Sequence, residues 1–337
     1  MGFDPRALRC LEIIFQNLGQ SQLDCMVIKY DDDFKEREPL GTFLKSNIQK
    51  LENLIPKEKW NSKLIRIKYG TEFVMSVDTV KQLKKSEFMG YSDIIIDISS
   101  MPNGVYFPMI KTILDWINSK ELLFEKKPIN LHVVLSENAQ FDGMIMPIGM
   151  NDKVTYMYKF GAVLQSEAKK NLSKVWIPVL GENQINQLNK INEEISPKET
   201  CPIFPIPSVD PYRTKKLLLE YREFLFDTLD IDTRNFIYSN EQNPFETFRK
   251  IYETAKYNYE AFNELKGCHI VVSPLSSKLL CLGALLASYV LLEENCNVGI
   301  AYVENQTYDI TSTVDFNVVK QNSIPFTIWL TGTVYED

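Results

Sequence analysis

Residues 93–104 read DIIIDISSMPNG, and the fold turns on how they are read. A short unbroken isoleucine run closed by turn residues predicts a strand buried on both faces. The double serine and Pro102-Asn103-Gly104 then predict a turn into the apolar helical pattern of 105–118. Strand, small polar loop and helix are the unit from which parallel sheets are built. Residues 268–280, CHIVVSPLSSKLL, carry the same order a second time: apolar strand, double serine, apolar helix.

Outward from these two stretches the alternation continues. Strands are predicted at CMVIKY (25–30), LIRIKY (64–69), LHVVL (131–135), VWIPVL (175–180), PIFPI (202–206), NFIY (235–238) and VGIAYV (298–303), with IPFTIWLTGTV (324–334) closing the chain. Helical patterns lie between them near 40–54, 77–88, 183–195, 211–229, 244–265 and 278–292. In the first of these Leu40, Phe43, Leu44, Ile48 and Leu51 share one face, the spacing of a helix packed on a sheet. Between 141 and 173 the pattern loosens around Gly143, Gly149 and Gly161, with a short strand at VTYMYKF (154–160), and reads as a connector. The fold class expected is α/β with mainly parallel sheets.

Four landmarks recur in the same order, which predicts an internal duplication. Asp4-Pro5-Arg6 and Asp210-Pro211-Tyr212-Arg213 each open a helix. A strand ending in Tyr30 runs into Asp31-Asp32-Asp33, as one ending in Tyr238 runs into Ser239-Asn240-Glu241. The two serine loops come third, and strands ending in Glu137-Asn138 and Glu304-Asn305 fourth. The first half carries one additional strand–helix unit, LIRIKY and its helix. Two pseudo-duplicated Rossmann-like units follow, 1–165 with the insertion and 175–337. The second half has a strand, PIFPI, before its Asp-Pro-x-Arg turn and the first half has none, so either the closing strand fills that place or a strand comes from outside.

The 337 residues carry 37 Lys and Arg against 44 Asp and Glu, 45% hydrophobic and 24% charged residues. That is a soluble globular composition, and its acidic balance argues against an extended nucleic-acid surface. The six cysteines (10, 25, 201, 268, 281, 296) form no C-x-x-C pair and read as reduced core residues of a cytoplasmic protein. With His132 and His269 the only histidines, both in strand-like runs, neither a metal site nor a Ser-His-Asp triad is expected. MGFDPR has no secretory character, and no apolar run reaches the roughly 20 residues of a membrane span. LLCLGALLASYVLL (279–292) reads as a buried helix. No cofactor is expected.

In an open α/β sheet, ligands bind beyond the carboxyl ends of the strands, and all four landmarks fall there. Ser99, Ser100, Asn103 and Gly104 form a turn suited to presenting backbone N–H groups and a helix dipole to an anion; Ser276 and Ser277 do the same, with Lys278 adding a cation. The alternative is that these serines are helix caps. Arg6 and Arg213 stand in the first turn of a helix, where the dipole disfavours a cation. They either clamp a phosphate or pair with strand-end acids, Asp31 or Glu137 in one half and Glu241 or Glu304 in the other. Glu137 and Glu304 are suited to accept hydrogen bonds from a ribose or base edge. Asp97, with Ser273 as its counterpart, is the acid or base if chemistry occurs. Asp31-Asp32-Asp33 reads as a solvated loop, because successive side chains of an extended segment diverge.

These paired strand–loop–helix units resemble the CARF and SAVED nucleotide-sensor domains of prokaryotic defence systems. Ser99-Ser100-Met101 and Ser276-Ser277-Lys278, with the helices that follow, carry the likeness, which covers most of the chain. In those domains the loops after the strands hold a cyclic or linear oligonucleotide messenger. The resemblance therefore implies a nucleotide or other phosphorylated small molecule as ligand. The chain departs from the family in its Asp-Pro-x-Arg openings and in having no attached effector domain, which makes an effector a separate protein; a homo-oligomer is the other partner expectation. Two functions stand at this point. One is a nucleotide-binding or interaction module, a sensor or accessory subunit of a defence system, without chemistry of its own. The other is an enzyme acting on a nucleotide or phosphoribosyl substrate. The absence of a P-loop, a G-x-G-x-x-G, a metal cluster and a triad leans towards the first.

Overall fold

The structure is a computed structural model and describes residues 2–18, 23–31, 40–66, 75–125, 127–161, 172–262, 267–310 and 315–335. Along the first part of the chain these form a 3-10 turn (Pro5–Leu8), α1 (Arg9–Leu18), β1 (Cys25–Asp31), α2 (Leu40–Leu54), β2 (Trp60–Arg66), α3 (Met75–Gln82), β3 (Asp93–Asp97), α4 (Asn103–Asn118), the two-residue strands β4 (Leu123–Phe124) and β5 (Lys127–Pro128), and β6 (Asn130–Glu137). There follow α5 (Ala139–Asp142), β7 (Ile145–Met150), β8 (Thr155–Tyr156), β9 (Ser173–Leu180), α6 (Ile185–Ile195), β10 (Glu199–Thr200), β11 (Ile203–Pro205) and α7 (Arg213–Glu220). A π-helical stretch (Glu223–Thr228) leads to β12 (Ile237–Ser239), α8 (Pro244–Ala261), β13 (Cys268–Leu275), α9 (Lys278–Glu293), β14 (Val298–Tyr302), β15 (Asn305–Ile310), α10 (Phe316–Asn322) and β16 (Ile324–Thr331). Alternation of strand and helix with mostly parallel pairing makes this an α/β protein.

The chain divides into one unit of residues 1–141 with 312–337 and another of 142–311. This differs from the expected 1–165 and 175–337, and the strand pairing gives the reason. The looser segment after 141 contains β7 and β8, which pair antiparallel with β15 and β14. The closing strand β16 instead pairs antiparallel with β6 of the first unit. It thus takes the far edge of that sheet rather than the place that PIFPI holds in the second half.

In the second unit the sheet order is β12-β11-β9-β13-β14-β8, with β10 also beside β9. All neighbours are parallel except β8. The first strand of the parallel series, β9, is central; the next two build out on one side and the last two on the other. That is the doubly wound Rossmann arrangement, with its switch point between β9 and β13. Because helices cover such a sheet on both faces, its central strands are apolar without alternation: β13 is buried along its whole length. A hydroxyl wires three strands together in this interior. Trp176 Nε1 donates to Ser273 Oγ at 3.0 Å, and Ser273 Oγ donates to the Ala301 carbonyl at 2.9 Å. Around Trp176, Leu188, Ile191 and Ile195 of α6 and Leu217, Tyr221 and Phe224 close the core. On α9, Gly283 is required by a close helix crossing, since a Cβ there would lie 2.4 Å from the Pro244 carbonyl oxygen of α8.

In the first unit β1 pairs with β2 and β3 with β6, both parallel, and the sheet that contains β3 runs β16-β6-β3. Leu40, Leu44 and Leu51 of α2 are buried on one face, as their spacing predicts, and Asn47 shares it. The Asn47 amide donates to the carbonyls of Gly2 (3.1 Å) and Asp4 (2.9 Å), fixing the chain just ahead of the 3-10 turn. The two units share one piece of architecture in the same order: β3-α4-β6 with antiparallel β16 beside it, and β13-α9-β14 with antiparallel β8 beside it. Beyond that piece they differ, for β13 also pairs with β9 whereas β1 pairs with β2. Asp32 and Asp33, and the end of the strand predicted at 64–69, lie outside the described residues.

Candidate functional site

At the carboxyl end of β3, Asp97 Oδ1 accepts both the backbone N–H (2.9 Å) and the hydroxyl (2.6 Å) of Ser99, and the Ser99 oxygen accepts the Ser136 N–H of β6 (3.0 Å). Ser99 is therefore not a helix cap. It locks two strand ends together, and α4 begins behind Pro102 with no side-chain cap. Asp97 Oδ2 is sealed from solvent and has no hydrogen-bond partner. Burial pushes the Asp97 carboxyl up to about 7; the Asp4 charge adds to this, and the two bonds from Ser99 oppose it. Cys10 of α1 lies beside it, its Sγ 3.5 Å from Ser136 Oγ. Burial first and the Asp97 charge second raise that thiol to about 11, well away from a reactive thiolate.

The Asp4-Pro5-Arg6 turn explains its own cation. Asp4 caps the 3-10 turn by accepting Arg6 N–H at 2.9 Å, while the Arg6 guanidinium folds back to hold the same carboxylate through Nε (3.0 Å) and Nη2 (2.8 Å). Arg6 is buried and lies over the Phe141 ring, 5.0 Å from its centroid. Of the other residues singled out in this half, Ser100 and Asn103 are partly exposed at the start of α4, and Glu137 is the partly exposed last residue of β6.

In the second unit Arg213 opens α7 and every nitrogen of its guanidinium is engaged by a carboxylate. Nε and Nη2 form a fork on Glu182 at 2.6 and 2.7 Å, and Nη1 donates to Glu241. Burial works against its charge, but Glu182, then Glu241 and Asp142, overcome this and hold the guanidinium charged beyond the usual arginine range. Of the two roles open to it, Arg213 takes the ion pair, with Glu241 as one expected partner; Glu182 is a partner that the sequence reading passed over. Glu182 ends the Gly181-Glu182 step directly after VWIPVL, so its place at a central strand end was the available signal.

The loops after β9 and β13 meet at the switch point. Ser276 Oγ donates to the Leu180 carbonyl at 2.7 Å, and a Cβ on Gly181 would stand 2.4 Å from the Leu275 carbonyl oxygen, so only glycine allows this approach. Tyr221 holds the first loop by donating to the Gly181 carbonyl and accepting Gln184 N–H (3.0 Å). Burial raises the Tyr221 hydroxyl above its usual range. On this floor stands the amino end of the sixteen-residue α9. Ser277 is its N-cap residue but makes no side-chain cap bond, and its buried hydroxyl has no partner. Lys278 is partly exposed at the first helical position, and Glu304, past β14, accepts from the Tyr302 hydroxyl at 2.8 Å. Ser276, Ser277 and Lys278 are thus adjacent on one floor, whereas Arg213 belongs to a carboxylate cluster on α7. Among the described residues no group of three His, Cys, Asp or Glu is placed to hold a metal ion, and no helix is long and apolar enough to cross a membrane. The six cysteines are unbridged, five of them buried.

Neither a protein-family model nor a curated protein matches the sequence. Among solved structures the chain is similar to a protein described as a universal stress protein from Pseudomonas aeruginosa UCBPP-PA14. The identity is 10% and the TM-score 0.22, over 87% of this chain and 86% of that one. A likeness at that level carries no functional argument, and function is argued from the site.

Proposed function

We propose that this protein is a nucleotide-binding module without chemistry of its own, a sensor or accessory subunit of the kind its sequence resembles. The observation that carries this reading is the amino end of α9 at the β9–β13 switch point. Backbone N–H groups and the Ser277 hydroxyl stand there on a floor of tightly joined loops, with Lys278 at the first helical position, where open α/β sheets receive phosphorylated ligands. Glu182 and Glu241 occupy the Arg213 guanidinium, so Arg213 is not the phosphate clamp on this reading.

The test is calorimetric titration with a panel of mononucleotides, dinucleotides and linear and cyclic oligonucleotides, with native mass spectrometry of gently purified protein. A phosphorylated member of the panel binds, and Lys278→Ala weakens it about tenfold or more, the loss of one charge-assisted contact, with the melting temperature unchanged. Binding to none of them, or binding indifferent to Lys278, overturns the reading. The enzymatic alternative has one observation in its favour, the Asp97 carboxyl held near neutrality as a general acid or base needs. Nucleotide turnover followed by chromatography and abolished by Asp97→Asn would replace the binding reading with it.

A further inference from the structure

The end of β3 carries a half-buried aspartate, with one carboxylate oxygen sealed from solvent, that the binding reading does not use. Among the described residues no cation is a cause of its shifted pKa. Among the described residues Asp97 receives hydrogen bonds from Ser99 alone, and its second oxygen is sealed and unpartnered. The groups that bear on it come from its own loop, from β6, from the 3-10 turn and from α1. Ser99 and Ser136 are neutral; Asp4 is a second carboxylate and adds repulsion; Cys10 is a thiol that the Asp97 charge disfavours ionising. The two arginines of the turn and α1 are engaged with other groups of that segment. Arg6 grips Asp4 through Nε and Nη2, and Arg9 acts on Cys10 while its Nε is buried without a hydrogen-bond partner. An ionised carboxylate closed into such a place without a counter-cation is costly, and the cost is removed by protonation or by opening to water.

We propose that Asp97 is a protonation latch for the N-terminal segment: while it is neutral the 3-10 turn and α1 stay docked on the ends of β3 and β6, and its ionisation loosens them. The segment is suited to respond as a unit. Asn47 ties its start, Asp4 and Arg6 form its turn, and Cys10 contacts Ser136, whose N–H in turn donates to the Ser99 that bonds Asp97; the Asp97 charge acts on Asp4 and Cys10. The second unit has no equivalent device, because its counterpart residue is Ser273, whose hydroxyl is spent between Trp176 and Ala301.

Hydrogen–deuterium exchange of the full chain between about pH 5 and about pH 8, corrected for intrinsic rates, tests this. A carboxylate whose docked pKa lies above its free value loses docking stability as pH rises between the two, and the loss levels off above the docked pKa. The α1 amides in the wild type should therefore open about tenfold more readily per pH unit up to about 7 and no further. In Asp97→Asn, and in Asp97→Ser as a second variant, the same amides should show no such slope. Amides of β9 and β13 serve as the internal control and stay flat in all three proteins. Alkylation of Cys10, located by peptide mass, gives an independent reading: buried when docked, it should react in step with α1 opening. An α1 slope equal in wild type and both variants, or absent from the wild type, overturns the proposal whatever the nucleotide titrations show.

Discussion

Replacing Arg213 by alanine tests whether an internal ion cluster ties the segments after β9 and β12 to α7 in the second unit. The side chain is 3% exposed, and that of Glu241 only 5%, so the variant leaves a carboxylate in the interior with no cation. Breaking a buried pair in this way costs about 3–5 kcal/mol, against about 0–1 for an exposed pair. Glu182 is 25% exposed and can turn to water, so the penalty comes chiefly from Glu241, which keeps only its bond from Val209 N–H at 2.9 Å. Arg213→Lys keeps the charge but loses the fork on Glu182, and should fall between wild type and alanine. The assay is urea unfolding followed through Trp176, the only tryptophan between residues 142 and 311, beside circular dichroism. Arg213→Met combined with Glu241→Gln and Glu182→Gln should recover much of the loss, because neutral groups need no counter-ion. A loss below about 1 kcal/mol for alanine would refute the reasoning. It would return Arg213 to the list of groups available to a ligand.

Two further outcomes follow from packing. Gly283→Ala forces a methyl group against the Pro244 carbonyl and the Thr247 side chain, and should cost about 1–3 kcal/mol by thermal or urea unfolding; an unchanged midpoint would mean that α8 and α9 do not cross so closely. Asn47→Ala leaves the Gly2 and Asp4 carbonyls without their donor, and should cost about 1–3 kcal/mol, with exchange at the 3-10 turn rising before exchange at β6; equal rises at both would place the effect elsewhere.

VWIPVL and HIVVS were legible because parallel strands covered on both faces must be apolar throughout, and they are; DIIIDI is a strand as expected, but its burial alternates from residue to residue, so it is not covered on both faces. The unit boundary was not legible. β7 reads IMPIGM, where proline and glycine mask a strand, and its partner β15 lies at the other end of the unit, so only the register of pairing reveals it. The seam between β16 and β6 is of the same kind, an antiparallel edge that joins residues nearly two hundred positions apart. At the site, the serine loops were found by their turn chemistry. What their hydroxyls do was hidden, since Ser99 and Ser276 each bond to a neighbouring strand end rather than to the helix they precede.

The two Asp-Pro openings show how little sequence difference separates two solutions. In Asp4-Pro5-Arg6 the arginine follows the aspartate by two positions, so its side chain folds back onto the capping carboxylate and the turn neutralises itself. In Asp210-Pro211-Tyr212-Arg213 one residue is interposed. Asp210 then accepts Tyr212 N–H at 2.9 Å and pairs with Lys216, and the arginine is directed away to Glu182 and Glu241. The same logic runs through Asp97 and Ser273. A serine on β13 is satisfied by its neighbours, while an aspartate at the end of β3 leaves one oxygen unmet. On the two proposals, the anion falls to one unit and the titrating group to the other. That difference gives a physical reason why two halves that share a strand–helix–strand piece need not share a task.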